Sequence, residues 1–191
     1  MAFALLVEES HLPVQYSVPE MTDEKFREIC ERYEDYRIEC TEEGEIVIMP
    51  PTDPETGVRN SAITGQLYMW ARNRSHVEIA DSSTGFKLPN GARRSPDAAL
   101  SSLARFKQRG CPEFVIELLS PSDWPKRTAA KMAEWIENGA ELGWMIQPKT
   151  RTVTVFRRGR TPEALTGIDE IAGEGIAEGF VLDLRPVWRE F

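Results

Sequence analysis

The sequence predicts an α/β (α+β) architecture, a mixed central β-sheet flanked by α-helices. Three observations predict it. Arg94–Leu100 and Phe114–Ser120 read as two apolar strands with a loop between them, and Phe114–Leu119 is apolar at both parities, as in a strand buried on both faces. Thr56–Arg74 and Trp124–Asn138 carry helical periodicity. Leu142–Ile146 and Thr152–Phe156 form a hairpin across the turn at 147–151.

The elements follow in order. Residues 1–20 have no clear period and read as an extended N-terminal arm. Thr22 is an N-cap for a helix over Asp23–Tyr33, with Phe26, Ile29, Cys30 and Tyr33 at i, i+3, i+4, i+7. Tyr36–Cys40 and Glu45–Met49 form a hairpin around Glu42-Glu43-Gly44, and the prolines at 50, 51 and 54 break the second strand. In the helix over Thr56–Arg74, Val58, Ala62, Ile63, Leu67, Met69 and Trp70 span one arc. Val77–Ala80 and Gly85–Leu88 are short strands, and Pro89-Asn90-Gly91 is a turn. Between the two apolar strands, Leu103–Gln108 reads as a helical turn. Ser120–Asp123 offers an N-cap to the next helix, and Gly139 closes it. The stretch 161–179, rich in Gly and Glu, reads as loop, and Phe180–Leu184 with Val187-Trp188 as C-terminal strand.

A chain of 191 residues suits a single domain, 1–191, with a proper core. Three widely spaced cysteines make neither a disulfide framework nor a zinc motif, so a reducing, cytoplasmic setting is expected. Ala2–Val7 is apolar but short and runs into acidic residues. No signal peptide and no membrane span is expected. With two histidines and no phosphate-binding glycine motif, zinc sites, Ser-His triads and nucleotide loops have little to build on. The net charge of −8 runs against simple nucleic-acid binding, which leaves a basic footprint.

Four residues carry candidate chemistry. Glu117 lies in an apolar strand, where an ionised carboxylate is costly unless paired or bound to metal. Asp97 follows Pro96 at the start of the neighbouring strand. Two such carboxylates can chelate a hard divalent cation such as Mg2+, and they equally suit a turn aspartate and a salt-bridged core glutamate. Gln66 falls inside an apolar helical arc, so it is either a satisfied core amide or part of a site. Lys131 sits at the border of the apolar stripe made by Trp124, Thr128 and Trp135. It either snorkels past them or reaches a site.

The runs Ser82–Gly91, Ser95-Pro96-Asp97, Phe114–Asp123, Lys131-Met132 and Glu137–Trp144 resemble the bacterial Uma-two family, whose members are regarded as restriction endonucleases. The resemblance covers about residues 22–158, with a fainter match at Gly179–Trp188. It implies the restriction-endonuclease-like fold of the PD-(D/E)XK nucleases, a divalent metal (Mg2+, with Mn2+ as substitute) and hydrolysis of nucleic-acid phosphodiesters. On that pattern Asp97 and Glu117 are the metal carboxylates. The superfamily lysine two residues after the second carboxylate is absent, since Leu119 stands there, and Lys131 matches a lysine the family carries on the next helix.

These observations predict an Mg2+-dependent endonuclease, most simply one acting on DNA, with Asp97 and Glu117 on the metal, Lys131 as charge partner and Gln66 positioning. The competing expectation is a degenerate nuclease fold serving as a dimeric interaction or regulatory module, favoured by Leu119 and the acidic charge. A homodimer is expected from the N-terminal arm, from Trp144 and Trp188 as exposed aromatics, and from the resemblance. DNA binding requires a basic rim, for which Arg72, Arg74, Arg93, Arg94, Lys126, Arg127, Arg157, Arg158 and Arg160 are available.

Overall fold

The computed structural model describes residues 14–18, 20–49, 51–121 and 123–191. Most of the expected arm lies outside the described residues; Val14–Ser17 within it is strand β1. There follow α1 (Asp23–Arg32), β2 (Arg37–Cys40), β3 (Glu45–Met49), α2 (Pro54–Ala71), β4 (Val77–Asp81), β5 (Phe86–Lys87) and β6 (Arg93–Arg94). The chain continues through β7 (Ala98–Ser102), α3 (Leu103–Lys107), β8 (Phe114–Leu118), α4 (Pro125–Glu137), β9 (Leu142–Gln147) and β10 (Thr152–Arg157). It ends with β11 (Glu163–Thr166), β12 (Glu170–Ala172), β13 (Val181–Asp183) and α5 (Arg185–Trp188).

The expected mixed sheet is present, with six strands in the order β11-β10-β9-β8-β7-β4. Its β8–β9 pair is parallel and its other pairs antiparallel. It is buried on both faces, which is why β8 is apolar at both parities. On one face Ala99, Val115 and Met145 pack under Met132 and Trp135 of α4. On the other, Ile116, Trp144 and Ile146 pack with Ile63 and Leu67 of α2 and with the C-terminal segment. Phe114 and Trp144 meet edge-on at 4.7 Å between centroids, and Trp144 stacks on Phe180.

A second sheet, β1-β3-β2-β6-β5, was legible only as a hairpin. Its Ile38, Cys40, Ile46 and Ile48 pack with Ile29 of α1. Arg94–Leu100, expected as one strand, is divided between the two sheets. Arg93–Arg94 pairs within the second sheet, and pairing in the central sheet starts at Ala98. Ser95-Pro96-Asp97 is the crossing, and Pro96, which lacks an N–H for a ladder, suits that break.

Several expectations are corrected. Residues 161–179 are not simply loop: β11 pairs with β10, and β12 with β13. Three of the four β11 side chains are exposed, so no apolar alternation marked this edge strand. Val187-Trp188 is helical, behind Pro186 in the first turn of α5. Trp144 and Trp188 are buried, at 0% and 8% exposure, and give no exposed aromatic surface for a homodimer. The arc on α2 is narrower than expected, since Val58 and Met69 are exposed. Asp123 does not cap α4. Its carboxylate accepts from Ser120 N–H at 2.6 Å, and Pro125 fills the first turn instead. Gly139 does end α4, at a φ of +130° that disfavours a side chain. Among the described residues no helix is long and apolar enough to cross a membrane.

Candidate active site

Antiparallel pairing of β7 with β8 sets Ala98 opposite Ile116, and Asp97 N–H donates to Ile116 O at 3.1 Å. One step along the ladder Asp97 faces Glu117, and alternation puts both side chains on the α4 face with Ala99 and Val115. Asp97 Oδ2 accepts from Leu118 N–H at 2.7 Å, which ties its carboxylate to the end of β8. Its Oδ1 accepts from Arg37 at 3.1 Å.

Lys131 comes down from α4 onto this pair. Its Nζ lies 2.9 Å from Glu117 Oε1, 2.8 Å from Glu39 Oε1 and 3.0 Å from Ser95 O. An ammonium has three protons, and these groups can take all of them. The neighbouring stripe is not a tryptophan cage: Trp135 is buried, whereas Trp124 is 77% exposed. Trp135 Nε1–H donates to Glu117 Oε1 at 3.0 Å, which leaves neither the indole nor the carboxylate unsatisfied.

Glu39 is the residue that sequence reasoning missed. Ile38 and Cys40 turn to α1, so alternation turns Glu39 the other way, toward the crossing. Read as a sequence, Arg37 and Glu39 look like the wet face of a hairpin. The central sheet and α4 cover that face, and Glu39 is 3% exposed. Its Oε1 accepts from Ser95 N–H at 3.1 Å, and its Oε2 from Arg94 at 3.3 Å. Arg94 also donates to Glu134 Oε2 at 2.6 Å, and Arg37 donates to Ser95 O. Four carboxylates thus face three cations: Glu39, Asp97, Glu117 and Glu134 against Arg37, Arg94 and Lys131.

Burial and the nearby Asp97 and Glu39 carboxylates push Glu117 up to about 7, against the pull of Lys131 and Arg37. Glu39 is just as deeply buried, but Lys131, Arg37 and Arg94 together outweigh the desolvation and hold it below the usual carboxylate range. Burial pushes the Lys131 ammonium down, but Glu117 and Glu39 overcome that and raise it, so it stays charged. Between about 4.5 and about 7 the folded state keeps a Glu117 proton that the unfolded chain has released. This group's contribution to stability therefore falls as pH rises through that window. Glu117→Gln should flatten that slope in metal-free thermal melts recorded across the window. An unchanged slope would show that Glu117 is already ionised in the fold.

Gln66 is not at this cluster. It lies on α2, across the sheet from Glu117, where Oε1 accepts from Asp183 N–H at 2.8 Å and Nε2 donates to Asp183 O at 3.0 Å. It clamps the C-terminal strand to the helix, the satisfied-amide alternative. The basic rim is also reduced. Arg93 pairs with Asp23, Arg94 with Glu39 and Glu134, and Arg157 with Glu163 and Glu174. Lys126 and Arg127 stay exposed in the first turn of α4, and Arg127 lies one turn before Lys131 on the same face.

Among the described residues no three His, Cys, Asp or Glu side chains gather around a point that a metal would occupy. Asp97 and Glu117 nevertheless fit a hydrated cation. They are hard oxygen donors side by side, in a cluster short of positive charge, and Mg2+ needs only one or two carboxylates because it keeps several waters.

The fold and the cluster together describe a nuclease-like α/β protein. The sequence model of the Uma2 family, described as "putative restriction endonuclease", matches residues 23–185, and the chain belongs to that family. Among solved structures it resembles a protein from Anabaena variabilis described as a "putative nuclease belonging to DUF820". That likeness has 17% identity and a TM-score of 0.71, over 79% of this chain and 89% of the other. A DrdV–DNA complex matches at 15% identity and a TM-score of 0.39, over 58% of this chain and 10% of that one, too remote to define a shared fold. No curated protein matches.

Proposed function

We propose that this protein is a metal-dependent endonuclease of the PD-(D/E)XK type that hydrolyses DNA phosphodiester bonds. The observation that carries the reading is Lys131 Nζ, 2.9 Å from Glu117 Oε1 although Leu119 occupies the usual lysine position. A lysine from the next helix thus meets the carboxylate pair from above the strand end. Asp97 and Glu117 would hold the cation, Mg2+ or Mn2+. When bound, such an ion polarises a phosphoryl oxygen and lowers the pKa of a bound water. Lys131, charged and fixed by Glu39 and Ser95 O, offsets charge that builds on the phosphoryl group. Arg127 and Lys126 offer phosphate contacts on the approach along α4, and Gln66 has no part in the reaction.

Asp97→Asn keeps the shape of the side chain but removes half of the carboxylate pair. Metal-dependent cleavage of plasmid or oligonucleotide DNA should disappear in that variant, and chelation should abolish cleavage by the parent protein. Undiminished cleavage by Asp97→Asn, or cleavage in excess chelator, would overturn the proposal. The second reading, a non-cleaving and dimeric interaction module, draws on how far the cluster satisfies itself, since each cation is already paired with a carboxylate. That reading expects calorimetry to find no Mg2+ binding that depends on Asp97.

A further inference from the structure

A groove of about 680 Å³ runs between α2 and the outer edge of β4, the last strand of the central sheet. Asn60, Thr64, Gly65 and Tyr68 form its helix wall, and Ser82 and Thr84 lie on the wall opposite. It opens at the same end of the sheet as the candidate active site. β4 pairs with β7 so that Asp81, in the groove, sits opposite Ala98, the residue after Asp97. Gly85, next after Thr84, comes so close to Ser95 that a Cβ built on it would lie 3.8 Å from Ser95 Oγ. Ser95 in turn holds Lys131. The groove and the carboxylate pair are therefore neighbours through one short piece of chain.

The lining specifies a chemical class. No lysine or arginine lines the groove. Its one charge, Asp81, is spent inside the turn, accepting from Ser83 N–H at 3.0 Å and Ser83 Oγ at 2.6 Å. A phosphate would find no cation there. What the walls offer is hydroxyls, an amide and an aromatic face. Asn60 Oδ1 and Thr64 Oγ1 are buried without a hydrogen-bond partner, and such atoms are costly until a partner arrives. Tyr68 is 59% exposed, and nothing in the core needs it there. A flat, neutral, hydrogen-bonding ligand with a π-face matches this set. A volume of this order is that of ordinary small-ligand sites.

We infer that this groove receives an unpaired nucleobase of the nucleic-acid strand whose phosphate lies at Asp97 and Glu117, stacked on Tyr68 and read by Asn60 and Thr64. The inference rests on the nuclease reading and adds to it that the substrate is single-stranded, or has a base turned out of the duplex, because a paired base hides the edge that Asn60 would read.

The test is binding of a short single-stranded DNA carrying 2-aminopurine, followed by fluorescence in a calcium buffer, with cleavage measured separately in magnesium. Stacking on an aromatic side chain is worth about 1–3 kcal/mol per base, so Tyr68→Ala should weaken binding by roughly 5- to 150-fold while Tyr68→Phe keeps it. Gly65→Met is an independent block. A Cβ at Gly65 meets nothing within 4 Å, so the side chain extends into the groove without a clash, and binding should fall as in Tyr68→Ala. Single-strand binding unchanged in both Tyr68→Ala and Gly65→Met overturns the inference, and the nuclease reading stands if the parent protein still cleaves. Binding that depends on Tyr68 without any cleavage upholds the groove and overturns the nuclease reading. No binding of any oligonucleotide overturns both.

Discussion

Lys131→Ala is expected to reduce metal-dependent cleavage by ~10²–10³, the usual cost of removing a charge partner of the transition state. It should act on stability as well, and with an opposite response to metal. Without Lys131, Glu117 loses its closest counter-charge while Asp97 and Glu39 stay nearby. The metal-free variant should melt below the parent protein, and Glu117 should bind its proton more tightly. Added Mg2+ should restore much of the stability, because the ion supplies the missing charge, but should not restore the rate. Lys131→Met separates this role from packing. The aliphatic stem survives, but three acceptors lose their donor: Glu117, Glu39 and the Ser95 carbonyl. Cleavage by the Met variant at the parent rate would eliminate Lys131 from the reaction.

Glu39→Ala should produce the largest loss of stability among changes at the site. The carboxylate is buried and takes hydrogen bonds from Lys131, Arg94 and the Ser95 amide. Removing one partner of a buried ion pair costs about 3–5 kcal/mol, because the remaining charges stay desolvated. Denaturant unfolding should show a lower midpoint with an unchanged slope. Glu39→Gln should lose less, since its amide oxygen can still accept from the Ser95 N–H. A shift below about 1 kcal/mol for the Ala variant would mean that Lys131 and Arg94 find other partners, as exposed ion pairs commonly do.

The central sheet was legible because its physics is local. The two-faced apolar run at Phe114–Leu119 and the hairpin Leu142–Phe156 announce themselves by composition. The Asp97–Glu117 pair was legible for the same reason, since a carboxylate in an apolar strand is conspicuous. Lys131 showed in the sequence only as a residue at the edge of a stripe, and its three acceptors come from three separate segments. Glu39 had no signal of its own, because alternation in a short hairpin cannot tell a face covered by a distant helix from one open to water. Gln66 was conspicuous for a sound reason, a buried amide, but the backbone it satisfies is at Asp183, far along the chain. A lone polar residue in an apolar arc reports that a partner exists and not which one.

The passage of Ser95-Pro96-Asp97 between two sheets makes the site a latch as much as a reaction centre. Lys131 belongs to a helix on the central sheet, Glu39 belongs to the second sheet, and the bond between them spans the junction. Loosening the second sheet, even with the six-stranded sheet intact, withdraws Glu39 and Arg37 and leaves Lys131 free to swing. Catalytic competence would then track the docking of a peripheral layer and not the melting of the core. Such a partial opening lies at the low end of a protein's stability spectrum. Whatever stiffens that junction would gate the chemistry without touching substrate.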